Sequence, residues 1–567
     1  MRAKAGDPPR TMAQKVLAGR ASDPSLSGEL VEVRVDQVVL SRHPARAVAH
    51  GLAVGLQKSP VEVVVAYAGR ATTDPVGGGG DADVPAEALA AGAVLARAGA
   101  GFAGPVHLER FASPARLCVT DDPRLAGSGG AGMLTLVASA AQLGQALATG
   151  AFWVRPPRSL QVQLSGRLRP FVCARDAALE LLRRGLAESV RRIEVEHGAP
   201  VVVEFGGPGA RLLSVGERAV LCAVGPEVGA AAAVFVSDER TEVFLRDQRR
   251  SKAFRALVPD AGAPSAGVLA VDLGAIDPLL VDEAGAVRPV RDLAGKPVSQ
   301  VILGGDGVTL RDMFAVAALL KSKRVPSHVE WLVAPPSRQM LESLAGEGAL
   351  ADLLATGARL LDPDARVLSG ALYPAPPGGV SVRSFDPPPR RRAGVVASAE
   401  TLAYSVAHGV VGDPRSFKRP VRVTVPRTLP TDDVLLVREK GRPKGAAGTA
   451  PSAALAAWKP GPLDVVEAGK ALGPGPVAVA CATIEDARWA ALAAEDAPGT
   501  IRAIVGPAIP GGLVSALSGA GVYALASKEA APKKIDVAAA TAGKAEAWLA
   551  RGVERAWTQG RPAAAKR

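Results

Sequence analysis

The stretch VILGGDGVTL, residues 301 to 310, places one carboxylate, Asp306, in a glycine-bracketed turn between an apolar run and a helix-like stretch. A phosphate site needs free backbone N–H groups and usually a lysine or serine, whereas an acid repels phosphate. A carboxylate suits a hard cation such as Mg²⁺ or Mn²⁺. Aspartate also favours turns through local hydrogen bonds. A plain turn residue is therefore the favoured interpretation, followed by a metal ligand, with phosphate last.

Cysteine and histidine spacing offers no further metal motif. The cysteines Cys118, Cys173, Cys222 and Cys481 each lie in an apolar run and are too scattered for a disulfide framework or a CxxC site. We expect them to be buried thiols. The six histidines show neither HxxxH nor HExxH spacing, so the sequence predicts no zinc site.

The elements that must position these residues alternate along the chain. Strand-like runs and helix-length stretches follow one another within residues 11–70, 159–222 and 298–370, which predicts parallel sheets covered on both faces. Proline- and glycine-rich loops at 385–394 and 438–452 precede a smaller αβ unit. At 567 residues the chain is long enough for several domains.

Composition narrows the function classes. Hydrophobic residues make up 48% and charged residues 22%, which excludes disorder and collagen-like structure for the whole chain. We expect no membrane span and a cytoplasmic location, because no apolar stretch is long enough and the N-terminus lacks an apolar signal region. The net charge of +12 permits RNA binding, but only 4% of residues are aromatic, so stacking platforms are scarce.

Several segments together resemble the aconitase superfamily, which includes aconitase, homoaconitase and 3-isopropylmalate dehydratase. They are RTMAQKVLAGR, VHLERFASP, LSGRLRPFVCARDAALELLRR, KPVSQVILGG and PPGGVSVRSF, and the pattern is most similar to single-chain bacterial aconitate hydratases. GTIRAIVGPAIPGGLVSALSGAGVYAL resembles the family's swivelling domain. The resemblance implies an α/β fold with three parallel-sheet domains, a linker with a C-terminal swivelling domain, and a helical tail, at 1–158, 159–295, 296–412, 413–530 and 531–567.

The family's chemistry depends on three cysteines that hold a [4Fe–4S] cluster, whose open iron acts as a Lewis acid during dehydration. The resemblance places one in a GSCTN-type turn, where this chain has Asp306, and two in a CGPC-type turn, where it reads DPDARVLSG with Asp362 and Asp364. No cysteine lies between Cys222 and Cys481. We therefore expect no cluster and no other cofactor. A divalent metal on Asp306, Asp362 or Asp364 is the alternative.

Other family motifs are also altered. The DSHT motif corresponds to DDPR, an Asp-His pair to Tyr67 and Ala68, the NRNF stretch to DPPP at 386–389, and the GSSRE turn, which supplies a serine base and an arginine, to ACATIED. The family-position residues that remain as catalytic candidates are His107, Asp121, Glu227 and Arg392.

Scaffold motifs thus persist where catalytic motifs do not. The sequence predicts a non-catalytic pseudoenzyme that binds a protein partner or a small carboxylate ligand. One alternative is a hydro-lyase with a carboxylate-bound divalent metal, and another is an RNA-binding protein.

Overall fold

The computed structural model describes residues 8–68, 84–385, 394–431, 433–438, 461–507, 509–527 and 533–538. The candidate Arg392, the DPPP stretch and nearly all of the predicted C-terminal tail, with Trp548 and Trp557, lie outside these residues.

The strands of the described residues fall into five sheets. In chain order they are β1 (Val31–Arg34), β2 (Gln37–Leu40), β3 (Val63–Tyr67), β4 (Val94–Ala96), β5 (Leu117–Thr120), β6 (Leu134–Val137), β7 (Ala151–Val154), β8 (Arg158–Ser165), β9 (Val201–Gly206), β10 (Ala232–Phe235), β11 (Gly267–Asp272), β12 (Leu279–Val281), β13 (Val287–Pro289), β14 (Val298–Gly304), β15 (Glu330–Ala334), β16 (Arg359–Leu360), β17 (Val380–Arg383), β18 (Val395–Ala397), β19 (Leu436–Arg438), β20 (Pro462–Glu467), β21 (Val477–Ala480), β22 (Ile501–Gly506), β23 (Tyr523–Ala526) and β24 (Lys534–Asp536).

The α-helices lie between these strands. In chain order they are α1 (Met12–Ala18), α2 (Pro44–Ala53), α3 (Ala86–Ala90), α4 (Ala103–Arg110), α5 (Ala140–Thr149), α6 (Ala174–Arg183), α7 (Leu186–His197), α8 (Val215–Cys222), α9 (Val224–Glu227), α10 (Glu239–Asp247), α11 (Leu310–Leu320), α12 (Arg338–Gly346), α13 (Ala349–Ala355), α14 (Ala365–Ser369), α15 (Ala399–His408), α16 (Ile484–Asp496) and α17 (Gly511–Gly519). None of them is long and apolar enough to cross a lipid bilayer.

Four of the sheets have a parallel core. The first runs β19-β4-β3-β2-β5-β6, the second β10-β9-β8-β11, the third β13-β12-β18-β17-β14-β15-β16 and the fourth, near the C-terminus, β23-β22-β21-β20-β24. Only β19, β12, β13 and β24 join these sheets antiparallel, at or near an edge. The fifth sheet pairs β1 with β7 antiparallel. The architecture is the α/β fold with largely parallel sheets that the alternating pattern predicts.

The strand sequences explain the parallel pairing. Every residue of β14 is buried, as are those of β2 and β5, because helices or loops cover both faces of a parallel sheet. Helices begin where the sequence supplies caps. Thr309 accepts a hydrogen bond from the backbone N–H of Asp312 at the start of α11, and Thr483 accepts one from Asp486 at the start of α16.

Sheet membership departs from the expected domain boundaries at two places. Strands β12 and β13, within the expected second domain, pair onto the third sheet through β18. Strand β19, within the expected linker and swivelling segment, pairs with β4 of the first sheet. Both are antiparallel additions made by distant parts of the chain, so local alternation of helix and strand carries no sign of them.

Candidate functional site

The first and third sheets each contain a topological switch point. In the third sheet the chain runs from β14 to β15 and β16 on one side, and then returns to place β17 on the other side of β14. In the first sheet, β3 and β4 lie on one side of β2, and β5 lies on the other. Ligands of open α/β sheets bind at the carboxyl ends of the strands where the order reverses in this way.

Asp306 lies in the turn that follows β14, at the switch point of the third sheet. The turn is held to β17 by Ser384, whose hydroxyl donates to the carbonyl oxygen of Gly304 at 2.7 Å and accepts from its N–H at 2.8 Å. Gly305 has φ of +80°, and a side chain there would collide with Leu368 and Phe385. Glycine is therefore required at position 305 of this turn.

Arg124 approaches the same turn from the switch point of the first sheet. It follows β5, and its Nε lies 3.4 Å from Asp122 Oδ1 and 3.6 Å from Asp306 Oδ2. The side chains of Arg124 and Asp306 are only 9% and 6% exposed. The two switch points thus meet at a buried pair of opposite charges.

Close backbone packing fixes the position of Arg124. A glycine-rich 3₁₀ run, Pro123–Ala131, carries this arginine between α4 and α8. A Cβ at Gly129 would overlap the carbonyl oxygen of Ala233, and one at Gly130 would lie 2.5 Å from the backbone nitrogen of Ala219. Glycine is needed at both positions because the backbone passes directly against neighbouring backbone.

Burial controls the protonation of Asp306. Loss of solvent raises the pKa of its carboxyl to about 6, with Arg124 acting in the opposite direction and Asp122 adding to the rise. Neither carboxyl oxygen accepts a hydrogen bond from the part of the chain that the structure describes. Both carboxyl oxygens of Asp306 can therefore accept a hydrogen bond from a bound ligand.

The surroundings of Asp306 are a cavity of about 270 Å³ with a largely apolar wall. Asp306 and Arg124 line it together with Glu109 and residues of α4, α8 and α11. Burial raises the pKa of Glu109 to about 8, while the Ser337 hydroxyl donates to its Oε1 at 2.8 Å. The cavity can hold a small organic molecule whose polar groups face the Asp306 and Arg124 pair.

His107 occupies a closed position. The residue is fully buried; its Nδ1 lies 3.2 Å from the Tyr67 hydroxyl and its Nε2 lies 2.9 Å from Gln37 Oε1. Burial, with a smaller effect of Arg250, lowers the pKa of the imidazole to about 3. The neutral ring forms one hydrogen bond with each of these two neighbours within the core. Tyr67, at the position of the altered Asp-His pair, supplies one of those contacts.

Asp121 organises a loop at the switch point of the first sheet. Its carboxylate accepts the backbone N–H groups of Ser41, Arg42 and His43 at 2.9, 3.1 and 2.7 Å. The side chains of Arg42 and His43 both reach Asp496 at the end of α16. This family-position residue therefore shapes the surface on which the C-terminal unit rests.

The remaining predicted carboxylates do not join Asp306. Asp364 caps α14 by accepting from Arg366 N and also pairs with the Arg366 side chain at 2.6 Å. Asp362 and Asp364 line a separate cavity of about 410 Å³, and Glu227 lies at the end of α9. Within the described ranges, Asp306 has no partner from this set that would complete a metal site.

The cysteines fit a [4Fe–4S] cluster poorly. Cys118, Cys222 and Cys481 belong to three different hydrophobic clusters, and Cys173 lies at the start of α6. All four thiols are buried, and burial raises the pKa of Cys118, Cys173 and Cys222. A cluster needs three thiolates at one place, and these thiols are distributed among separate cores.

One group of residues escaped the sequence reasoning. Cys173, Asp312 and Glu400 each offer one ligand atom, and these atoms lie within 4.8 Å of one another. All three residues lie at or next to the beginning of a helix, namely α6, α11 and α15. The sequence shows only that each residue lies at the start of a helix-like stretch, and it does not show that these three helix starts converge.

The family model described as "Aconitase family (aconitate hydratase)" matches residues 86–278. The 3-isopropylmalate dehydratase large subunit 1 of Deinococcus radiodurans is 31% identical over 366 residues, which cover 63% of this chain and 80% of that protein. The chain belongs to the aconitase family.

Other aconitase-family relatives match over greater lengths. The 3-isopropylmalate dehydratase large subunit 2 of Archaeoglobus fulgidus is 26% identical over 424 residues, with coverage of 72% of this chain and 99% of that protein. The homoaconitase large subunit of Thermus thermophilus is 29% identical over 429 residues, covering 72% and 98%. The solved holo-form of aconitase X from Thermococcus kodakaraensis aligns at 10% identity and a TM-score of 0.35, covering 69% of this chain and 90% of that one.

In this aconitase-family chain, the stretch ACATIED at 480–486 begins a helix. Asp486 accepts the backbone N–H groups of Ala482 and Thr483 at 2.8 and 3.0 Å, and Thr483 caps α16 in return. The polar side chains of this turn are thus engaged in starting the helix.

Proposed function

We propose that this aconitase-family chain is a binding protein that does not carry out cluster-dependent dehydration. The observation that carries the proposal is Asp306. A buried carboxylate paired with Arg124 stands in the turn where the resemblance expects the first cluster thiolate. Because a carboxylate beside a guanidinium replaces the soft thiolate that a cluster iron prefers, the turn is poorly suited to an iron–sulfur cluster.

The distribution of the cysteines supports the same proposal. Three thiols are packed in separate hydrophobic clusters and the fourth lies beside two carboxyl groups. Bringing any three of them together would require moving whole core elements. The ACATIED stretch adds support, because it contains neither the paired serines nor the arginine expected there.

The cavity at the two switch points indicates the ligand class. Its wall is largely apolar, and Asp306 offers two buried acceptor oxygens beside the positive charge of Arg124. A small hydroxy acid matches these groups, since its hydroxyl can donate to Asp306 and its carboxylate can lie near the arginine. We propose such a ligand for this cavity.

Activity assays and ligand binding test the two parts of the proposal. Anaerobically purified protein is assayed with citrate, isocitrate, homocitrate and isopropylmalate, and iron and sulfide are quantified in the same sample. We expect no turnover and no iron–sulfur content. Turnover with stoichiometric iron and sulfide would overturn the proposal. Turnover with one Mg²⁺ or Mn²⁺ per chain would establish the hydro-lyase alternative instead.

Binding is measured by calorimetry with the same four acids. We expect at least one to bind the protein, and the substitution Asp306→Asn to weaken its affinity by about 10-fold or more, because a buried charged hydrogen bond is lost. Asp364→Asn is the matched control, since Asp364 lines another cavity. Equal affinity in wild type and D306N would exclude this cavity. Salt-sensitive binding of RNA with no binding of any acid would favour the RNA-binding alternative.

A further inference from the structure

The second sheet has its own switch point, and a large cavity opens there. The chain runs from β8 to β9 and β10 on one side and returns with β11 on the other side of β8. The loops that follow β8 and β11 line a cavity of about 690 Å³, together with parts of α11 and α15. Phe171, in the first of these loops, has φ of +66°, a costly conformation for a bulky residue.

Three ligand-type side chains converge beside this cavity. Cys173, Asp312 and Glu400 are 1%, 2% and 5% exposed, and one ligand atom of each lies within 4.8 Å of the others. Glu400 lines the cavity, and Cys173 directly follows Val172, which lines it as well. The group is therefore buried, yet it borders an open space.

The hydrogen bonds available to this group do not satisfy it. Asp312 Oδ2 accepts the N–H of Thr309 at 2.9 Å, and the Cys173 thiol donates a hydrogen bond to the Glu400 carboxylate, but Asp312 Oδ1 and Glu400 Oε2 accept none from the described residues. Among the described residues Arg311 pairs with Glu400, its Nη1 lying 3.9 Å from Oε1, and its side chain is 42% exposed. Buried carboxylate oxygens without a partner are costly unless a cation or a donor reaches them.

Neighbouring charges do not supply that partner. Asp176 is fully buried nearby, but its oxygens accept the backbone N–H groups of Cys173 and Leu279 at 2.9 and 2.8 Å. Arg175 is 7% exposed, and its Nε makes no hydrogen bond to the described residues. Two carboxyl groups and a thiol thus face mainly one partly solvated guanidinium.

We propose that Cys173, Asp312 and Glu400 bind a divalent cation of the zinc class, with an open coordination position facing the cavity of the second sheet. One sulfur and two carboxylate oxygens suit borderline-soft Zn²⁺ better than Mg²⁺ or Ca²⁺, which prefer oxygen alone. Three protein ligands leave a fourth tetrahedral position for water or a small anion. Arg167 and Arg169, which line the same cavity, favour an anion there.

Metal titration of the full chain tests the site. Protein stripped with a chelator is titrated with Zn²⁺ and, separately, with Co²⁺, whose thiolate charge-transfer absorption reports sulfur coordination. We expect one equivalent of either ion and a sulfur-to-cobalt band. Cys173→Ser should abolish the band, and Glu400→Gln should lower Zn²⁺ affinity more than about 100-fold, beyond the typical cost of losing an outer-shell group.

Controls separate a built site from general affinity for thiols or acids. Cys222→Ser removes another buried cysteine, and Glu109→Gln removes another buried acid; both should keep one equivalent of zinc. If C173S fails to fold, E400Q carries the test, because Glu400 caps no helix. No stoichiometric binding by wild type, or unchanged affinity in E400Q, would overturn the proposal. Arg311 lines both cavities, but Asp306 is not a ligand of the proposed metal, so failure of the zinc test would leave the proposed function standing.

Discussion

One short segment supplies a carboxylate to each of two different environments. Asp306 lies in the turn after β14 and contacts Arg124. Asp312 lies in the first turn of α11, next to Cys173 and Glu400. Arg124 is 9% exposed, while Arg311, which pairs with the second group, is 42% exposed and 3.9 Å from Glu400. In the first environment a buried guanidinium lies between two acids, Asp122 and Asp306, whereas in the second the two acids have only a partly exposed guanidinium nearby.

Burial and neighbouring charges together set the pKa of these two carboxyl groups. Burial raises the pKa of Asp306 to about 6 and that of Asp312 to about 7. Each carboxyl group has a second acid that raises its pKa, Asp122 for Asp306 and Glu400 for Asp312, and an arginine that lowers it. The arginine beside Asp306 is buried, whereas the arginine beside Asp312 is 42% exposed. A raised pKa alone therefore does not distinguish the environment of Asp306 from that of Asp312. The exposure of the arginine beside each carboxyl group does.

The largest effect is expected from removing the buried cation of the first environment. Arg124→Met leaves Asp122 and Asp306 buried without a counter-charge, so the free energy of unfolding should fall by about 3–5 kcal/mol near neutral pH. Urea denaturation measures this difference.

The double substitution Arg124→Met with Asp306→Asn is the control for that prediction. Because it removes one of the two charges left unpaired, with Asp122 remaining, it should recover part of the loss, as a neutral amide is less costly to bury. Equal instability of the single and double variants would mean that Arg124 acts through Asp122 or through packing and not through Asp306, and the contrast between the two environments would fail.

The pH dependence of stability gives the next largest effect. Asp306 has a folded-state pKa raised from 3.8 to about 6, so its stabilising contribution is complete below pH 3.8 and is lost as the pH rises through about 6. The loss amounts to roughly 3 kcal/mol at 1.36 kcal/mol per pKa unit.

The comparison is made against Asp306→Asn, which cannot titrate. The difference in unfolding free energy between wild type and D306N, measured by urea denaturation at several pH values, should shift in favour of the variant as the pH rises. A difference that stays constant between about pH 4 and about pH 7 would contradict the raised pKa.

The effect of Glu400→Gln on the free energy of unfolding should change sign when zinc is present. In chelator-treated protein the substitution removes one of two adjacent acids, so stability should be unchanged or slightly higher. With Zn²⁺ at about 100 times the dissociation constant, wild type should gain about 2.7 kcal/mol that E400Q does not. Thermal and urea unfolding with and without zinc measure both states. The same response in both proteins would remove the contrast.

The smallest effect is expected at the exposed arginine. Arg311→Met removes a partly solvated cation 3.9 Å from its acid, so the loss in metal-free protein should be below about 1 kcal/mol. Measured beside R124M under identical conditions, it ranks the two arginines. A loss at Arg311 as large as that at Arg124 would show that Arg311 compensates the charge of Glu400 as strongly as Arg124 compensates the acids beside it.

Much of the fold could be predicted, because alternation of strand and helix is a local property of the sequence. The turn at Asp306 could also be predicted from its glycines. The partner of Asp306 could not, since Arg124 reaches it only through packing between two sheets. Cys173, Asp312 and Glu400 were missed for the same reason: each is an ordinary helix-start residue until three helices bring them together. His107 and Asp121 could be located, but their contacts depend on neighbours that spacing does not show.

The antiparallel strand β19 delays completion of the first sheet during synthesis of this protein. Its pairing with β4 joins Leu436 to Ala96, so the edge of the first sheet waits for chain synthesised about 340 residues later. At about 5–20 residues per second, ribosomes need roughly 17 to 70 s for that distance. Throughout this interval the nascent first domain carries a bare strand edge, the kind of surface that chaperones shield and that promotes aggregation.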